Sequence, residues 1–388
     1  ANEWLKNEGL EPNFNVDEVQ NPGTDWLDAI FRTSPVQNHT ITFSGSSDKG
    51  RYSISGNYYD QEGIIENSGV SRGSVRVNLD QELKSWLKMG INLQLSRSEN
   101  NSVNVDNGYR GTSMLSAAAS APPTLPLYDD DGLPTQIGQI YNFGSADMRN
   151  PLLSTLSKNL NFSNSVLANS TFDFQISPSL SFKTLIGLQY RNSRSELFTP
   201  IVYENDRGSA QEGNNYFNSL LTENVLTYSK TFNEKHSLNI IGGGTYQTQM
   251  NRYSGIYVSG FSNNITENYN LAAAETIGNP WSGYFDWTLA SFLSRVNYSY
   301  DGKYMVTASI RADGSSRFGA DNKWGYFPSA ALAWRVSDEA FLENSSTISN
   351  LKLRASYGIT GNTALNPYQS LDRLNSTKYI FANQADVI

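Results

Sequence analysis

Few residues in this sequence are equipped for covalent or metal chemistry. The chain has no cysteine, which excludes a thiol nucleophile, an iron–sulfur cluster and a disulfide framework. Its two histidines, His39 and His236, fall in unrelated segments, which favours strand or surface positions over a shared metal. No His-Glu-x-x-His or phosphate-binding loop occurs. Gly242-Gly243-Gly244 has no lysine after it and lies in a strand-like stretch, where glycine permits a bend or close approach. Asp129-Asp130-Asp131-Gly132 offers carboxylates without EF-hand spacing and reads as a solvated turn. No catalytic residue, metal or cofactor is expected.

What the sequence does offer is aromatic surface. Residues 251–287 carry Tyr253, Tyr257, Phe261, Tyr269, Trp281, Tyr284, Phe285 and Trp287, and residues 99–156 carry Tyr109, Tyr128, Tyr141 and Phe143. Aromatic rings give apolar area at low entropic cost, and tyrosine adds a hydroxyl, a pairing suited to sugar rings and peptide side chains. Trp281, Tyr284, Phe285, Trp287, Tyr109, Tyr128 and Tyr141 are therefore the candidates for contact with a substrate or a partner. The competing reading is that they pack loops together. Pro122, Pro123 and Pro126 stiffen the first of these stretches.

The elements that would position them are strands. From about Gln37 the sequence alternates with period two. Leu87, Met89, Ile91, Leu93 and Leu95 oppose Lys88, Gly90, Asn92 and Gln94. Leu180, Phe182, Ile186, Leu188 and Tyr190 oppose Ser181, Lys183 and Gln189. Tyr304, Val306, Ala308 and Ile310 oppose Thr307, Ser309 and Arg311, and Leu351, Leu353, Ala355, Tyr357 and Ile359 oppose Lys352, Arg354, Ser356 and Thr360. The apolar face of each carries no charge, as lipid demands, since Arg or Lys at midplane costs roughly 2–4 kcal/mol. A soluble sandwich also hides one face, but its strands run to about five or six residues. These run to ten or more, the length a tilted membrane strand needs.

About twelve strands are predicted: 38–46, 50–61, 70–82, 86–99, 158–176, 179–198, 216–231, 236–250, 288–300, 303–314, 326–337 and 350–360. Short turns alternate with long connections at 60–69, 99–156, 199–214, 251–287 and 314–325, the layout of an outer-membrane barrel. Trp86, Tyr190, Tyr298, Tyr300, Tyr304, Trp324, Tyr326 and Trp334 are expected near strand ends as aromatic girdles. Lys88, Gln94, Lys183, Arg311, Lys352 and Arg354 should face the lumen, with Leu93, Leu188, Ile310 and Leu353 facing lipid. Residues 1–36 read as an irregular lead-in and 37–388 as a partial barrel. A net charge of -8 and a pI near 5.0 argue against nucleic acid as partner. The mean hydropathy of -0.47 does not exclude a barrel, whose lumen half is polar. Ala1-Asn2-Glu3-Trp4-Leu5 lacks the basic and apolar regions of a signal peptide, so an export signal is expected to be removed or to lie outside this sequence.

Several stretches resemble the SusC/RagA-type TonB-dependent outer-membrane transporters of Bacteroidota. They are Thr24–Arg32 followed by Gln37-Asn38-His39, Gly50–Ile65 with Tyr58-Tyr59-Asp60-Gln61-Glu62-Gly63, Asp313–Gly319 continuing through Trp324–Ser329, Trp334–Glu339, and Leu351–Asn362. The resemblance implies an all-β, antiparallel up-and-down barrel of about 22 strands, of which this chain holds about twelve, with the plug and TonB box outside it. It implies import of oligosaccharides or oligopeptides, a SusD-like lipoprotein lid and energy from TonB–ExbB–ExbD. The alternative is a surface structural or adhesion protein without transport. A barrel enzyme would need a Ser/His or carboxylate cluster that the sequence lacks.

Overall fold

The computed structural model describes residues 2–10, 23–103, 105, 113–137, 149–342, 347–372, 378–381 and 384–387. After a short helix α1 (Asn2–Asn7) come β1 (Val36–Ser47), β2 (Gly50–Glu62), β3 (Gly69–Lys84) and β4 (Leu87–Asn101). A helix α2 (Met114–Ser120) interrupts the long connection to β5 (Lys158–Ser177). Then follow β6 (Leu180–Thr199), β7 (Gly208–Phe232), β8 (His236–Phe261), the two-residue β9 (Thr276–Ile277), β10 (Trp281–Tyr300), β11 (Tyr304–Ser315), β12 (Trp324–Arg335) and β13 (Lys352–Gly358). All these strands form one antiparallel sheet in chain order, with β9 hung on the end of β8. A separate hairpin, β14 (Lys378–Phe381) and β15 (Gln384–Val387), follows. It lies beyond Gly361, where the alternation had faded and no strand was predicted.

Register sorts the side chains into two faces, because paired residues in an antiparallel ladder point the same way. Ile54, Val77, Leu93, Ala168, Leu188 and Leu220 are successive partners across β2 to β7. Ile310 joins that face through Ser294, Gly242, Leu226 and Phe182, and Leu353 joins it through Trp334, Tyr304, Tyr300 and His236. Lys183, Asp173 and Lys88 share the other face with Arg311, which is reached through Val225, Gly243 and Leu293. Gln94, Lys352 and Arg354 have the same parity. The polar face is not uniformly polar, since Leu167, Leu185 and Leu221 also point to it.

The sheet has no core on either face among the described residues. Both buried apolar clusters lie at one end of the strands. Meanwhile Ile41, Phe43, Ile186, Leu188, Ile310, Leu332 and Leu353 on the apolar face stand exposed. An apolar face of this extent needs something other than water against it. On β6 it runs from Leu180 to Tyr190 before Asn192 and Arg194 follow. That is roughly 25 Å of height at about 3.3 Å per residue and a 40° tilt, the height of a barrel's apolar band. No helix among the described residues is long and apolar enough to cross a membrane, a test that does not bear on strands.

All the tight turns fall at one end of the sheet, after Ser47, Lys84, Ser177, Phe232 and Tyr300. The connections at 63–68, 102–157, 200–207, 262–280 and 316–323 fall at the other. One exception breaks the pattern: residues 336–351, between β12 and β13, make a longer connection at the tight-turn end. At that end His236, Tyr300, Tyr304 and Trp334 form a continuous aromatic row on the apolar face, with centroids 5.0, 6.4 and 6.5 Å apart in turn. Trp334 Nε1 and Tyr304 Oη donate to Glu339 at 3.0 and 2.6 Å, fastening the exceptional connection to the girdle. At the opposite end Trp324 stacks on Phe292, with centroids 6.0 Å apart. Gly314 makes room for that ring, since a Cβ there would lie 2.8 Å from the indole.

Two predicted connections are shorter than expected. The stretch 199–214 shrinks to 200–207 and the stretch 251–287 to 262–280, because β7, β8 and β10 continue far beyond the apolar band. There the alternation is polar against aromatic or small, with no apolar face to mark it. Pairing nevertheless continues without a break from Gln249–Trp287 to Gly255–Trp281. Tyr190 also sits mid-strand in β6, where the apolar band ends, rather than near a strand end.

Candidate functional site

The candidate aromatics divide by face. Trp281, Phe285 and Trp287 lie not in a loop but on the extension of β10, all on the polar face. Tyr284 pairs with Arg252 and points to the opposite side. Tyr128 is exposed in the 102–157 connection, beside a turn where Asp129 Oδ1 accepts from the backbone of Asp131 and Leu133 at 3.1 and 2.8 Å. Tyr109 and Tyr141 lie outside the described residues, as does Phe143.

The three polar-face rings stand in register with amides, hydroxyls and a guanidinium. Phe285 is in line with Asn251, Phe217, Arg191 and Ser165; Trp287 is in line with Gln249, Ser219 and Gln189. Arg191 lies over the Phe217 ring at 5.3 Å. Trp281 covers Gly255, and the Tyr253 ring covers Gly283, so that a Cβ at either glycine would collide with the ring. Glycine here admits close approach of large rings to the sheet.

Arg317, from the connection after β11, lies 4.2 Å over the Trp287 ring and donates Nη1 to Thr363 O at 3.3 Å. Burial lowers its guanidinium below the ordinary arginine value. Trp287 Nε1, Arg317 Nε, Asn251 Oδ1 and Ser291 Oγ are buried without a hydrogen-bond partner. Orphaned polar atoms of this kind cost about 1–3 kcal/mol each and call for a partner. Sequence reasoning missed Arg317 and Asn251 as members of this region. Neither is aromatic, and Arg317 reaches Trp287 only through the hairpin geometry.

The remaining connections are fastened down. Residues 262–280 fold against the outer ends of β5–β8 on the apolar-face side. There Phe198, Ala210, Val258, Phe261 and Ala274 form a buried cluster. Lys158 Nζ contacts Glu196 and Glu267 at 3.2 Å each and Asn268 Oδ1 at 2.9 Å, and lies 4.2 Å over the Tyr269 ring. Asn268 Nδ2 donates to Glu196 and Glu212 at 3.2 and 3.0 Å. Arg194 also pairs with Glu196. The connection 102–157 holds the other cluster, into which Trp26 and Ile30 insert from the lead-in. Trp26 Nε1 donates to Pro122 O at 2.9 Å and Thr24 N to Pro123 O at 2.7 Å. Tyr203 ties 200–207 to the same body by donating to Pro134 O at 2.5 Å. Burial, with Asp206 and Asp129 nearby, pushes its phenol up to about 12, so it stays a donor.

The stretches that suggested a family thus have structural duties. Asp25 caps the turn that seats Trp26, through bonds from Leu27 N and Asp28 N. Arg317 and Thr363 join the connection after β11 to the chain beyond β13, and Trp334 and Glu339 secure the other end.

No family model matches the chain. It is 35% identical over 379 residues to TonB-dependent receptor P3 of Formosa agariphila, covering 96% of this chain and 37% of that protein. It is 28% identical over 361 residues to TonB-dependent receptor SusC of Bacteroides thetaiotaomicron, covering 87% and 35%. A solved structure of the RagAB peptide importer in its closed-closed state superposes with a TM-score of 0.80 at 26% identity, covering 95% of this chain and 41% of that one. The chain therefore spans under two-fifths of the length of these two curated relatives. A long antiparallel sheet with a charge-free apolar band, in a chain with these relatives, defines a TonB-dependent receptor of the outer membrane. Within that class the chain belongs to the SusC/RagA type.

Proposed function

We propose that this chain forms the wall and part of the mouth of an importer that carries oligosaccharides or oligopeptides across the outer membrane. The observation that carries the reading is the group of Trp281, Phe285 and Trp287 on the polar face beyond the apolar band. They are set among amides, hydroxyls and arginines with unpaired donors. Such a surface stacks on a ring or an apolar side chain while offering hydrogen bonds around it. In this reading the apolar face meets lipid, and Lys88, Gln94, Lys183, Arg311, Lys352 and Arg354 face the lumen. The long-connection end is extracellular. The plug and TonB box, and with them the coupling to TonB–ExbB–ExbD, belong to parts of the protein outside this sequence. Residues 1–36 lead from the plug into the barrel, and a SusD-like lipoprotein closes the mouth. RagAB is a peptide importer, which supports a peptide as one of the two substrate classes.

The test uses the full-length protein. Combining Trp281→Ala, Phe285→Ala and Trp287→Ala should lower uptake or lid association at least tenfold, roughly 1.4 kcal/mol. Tyr284→Ala, on the opposite face, should leave both unchanged. Heat-modifiable gel mobility checks that the barrel has folded. Unchanged uptake and lid binding in folded triple variant would reject substrate contact at this site.

A further inference from the structure

The apolar face carries a feature that import does not use. A groove of about 710 Å³ opens there across β1 to β6, walled by Ile41, Leu95, Val166 and Tyr190. Its floor includes Gly56 and Gly73, and a Cβ added to either would meet nothing within 4 Å. Both glycines are on the apolar face, Gly56 opposite Ile41 and Val75, Gly73 opposite Tyr58 and Arg97. Side chains here would fill the groove, so the hollow is made by their absence.

Arg97 stands at its outer edge. It is the first charge on the apolar face of β4, directly after the run Leu87–Leu95, and so lies where the apolar band ends. Among the described residues it makes no ion pair or hydrogen bond. Arg194, the corresponding first charge on β6, is paired with Glu196. Asp60 and Glu99, the next positions outward on β2 and β4, are carboxylates. An anion is therefore held at Arg97 and repelled above it. A lone cation at the headgroup level, over an apolar trough, is complementary to one ligand chemistry: an anionic head with a hydrocarbon chain below.

We propose that this groove binds a phosphorylated, acylated glycolipid of the outer leaflet, with a phosphate on Arg97 and an acyl chain over Gly56 and Gly73. The inference rests on the long-connection end being extracellular, which labelling of a cysteine at position 130 in intact cells tests separately. The experiment is native mass spectrometry of the full-length protein titrated with lipid A carrying a phosphate and with the same lipid dephosphorylated. Wild type should prefer the phosphorylated form. Arg97→Ala should weaken that form at least tenfold and leave the dephosphorylated form unchanged, and Arg97→Lys should restore part of the loss. Gly73→Leu should weaken both forms by filling the trough. With folding and orientation upheld, equal binding of both forms to wild type, or unchanged binding in Arg97→Ala and Gly73→Leu, would overturn the site. So would a change in oligomeric state in place of lipid loss, since it would mark the groove as a contact between copies.

Discussion

Replacing Lys158 with Met in the full-length protein should release the connection 262–280 while leaving the barrel intact. Lys158 is 17% exposed and Glu196 only 1%, so the substitution removes a partner from a buried carboxylate and cuts three bonds to Glu267, Asn268 and Tyr269. Breaking a fully buried pair costs about 3–5 kcal/mol. Arg194 and Asn268 still reach Glu196 here, and Lys158 is partly solvated, so about 2–3 kcal/mol is the better figure, within the range for bonds to charged groups. Local opening should rise by roughly 30- to 140-fold, since each 1.4 kcal/mol is tenfold. Hydrogen exchange reads this directly at Ala274 N, Glu275 N and Gly278 N, which bond to Leu271, Gly260 and Tyr257. Exchange in β5 to β7 should not change below the band. Adding Glu196→Leu should recover much of the loss, because a buried ionic pair can be replaced by apolar packing without penalty. Unaltered exchange across 262–280 in Lys158→Met would refute the assignment of this network as the fastener. A uniform rise across all strands would do so equally.

A cysteine in place of Asp130 should react with an impermeant maleimide in intact cells, and reaction only after the outer membrane is breached would reverse the orientation. Trp334→Ala removes both the stack on Tyr304 and the bond to Glu339, and should cost about 1–2 kcal/mol in urea unfolding from bilayers. Tyr304 and Trp334 donating to Glu339 hold its carboxyl below the ordinary value. That contribution is present at neutral pH and is lost only as pH falls through the depressed value. Protection from exchange in 336–342, taken relative to the intrinsic rate at each pH, should therefore be steady from pH 7 to mildly acid pH, fall below the usual carboxylate range, and lose that step in Glu339→Gln.

The strands were legible because lipid enforces a chemical contrast between faces, and Leu87–Leu95 and Leu180–Tyr190 display it residue by residue. Where the strands leave the band that contrast goes, and β7, β8 and β10 were cut short for that reason. The site suffered more than the fold. Trp281, Tyr284, Phe285 and Trp287 looked like neighbours in one loop, yet strand parity sends Tyr284 to the other side. Arg317 is 30 residues from Trp287 in sequence and meets it only because β10 and β11 form a hairpin. The groove of Gly56 and Gly73 was invisible, since glycine in a strand signals room without saying for what. The girdle was partly read: Tyr298, Tyr300, Tyr304 and Trp334 were picked as aromatics, while His236, whose ring lies 5.0 Å from that of Tyr300, was read only as a strand or surface histidine.

The central claim is that one face of this sheet lies in lipid and the other does not. The chain contains no cysteine, so single cysteines along β6 from Ser181 to Gln189 can carry a spin label without background. In the full-length protein in bilayers, labels at Phe182, Thr184, Ile186 and Leu188 should be more accessible to oxygen, which partitions into hydrocarbon. Labels at Lys183, Leu185 and Gly187 should be more accessible to a water-soluble nickel chelate or shielded from both. A period-two alternation in this phase is the predicted result. Alternation in the opposite phase, with Lys183 in lipid, or no alternation along β6, would contradict it.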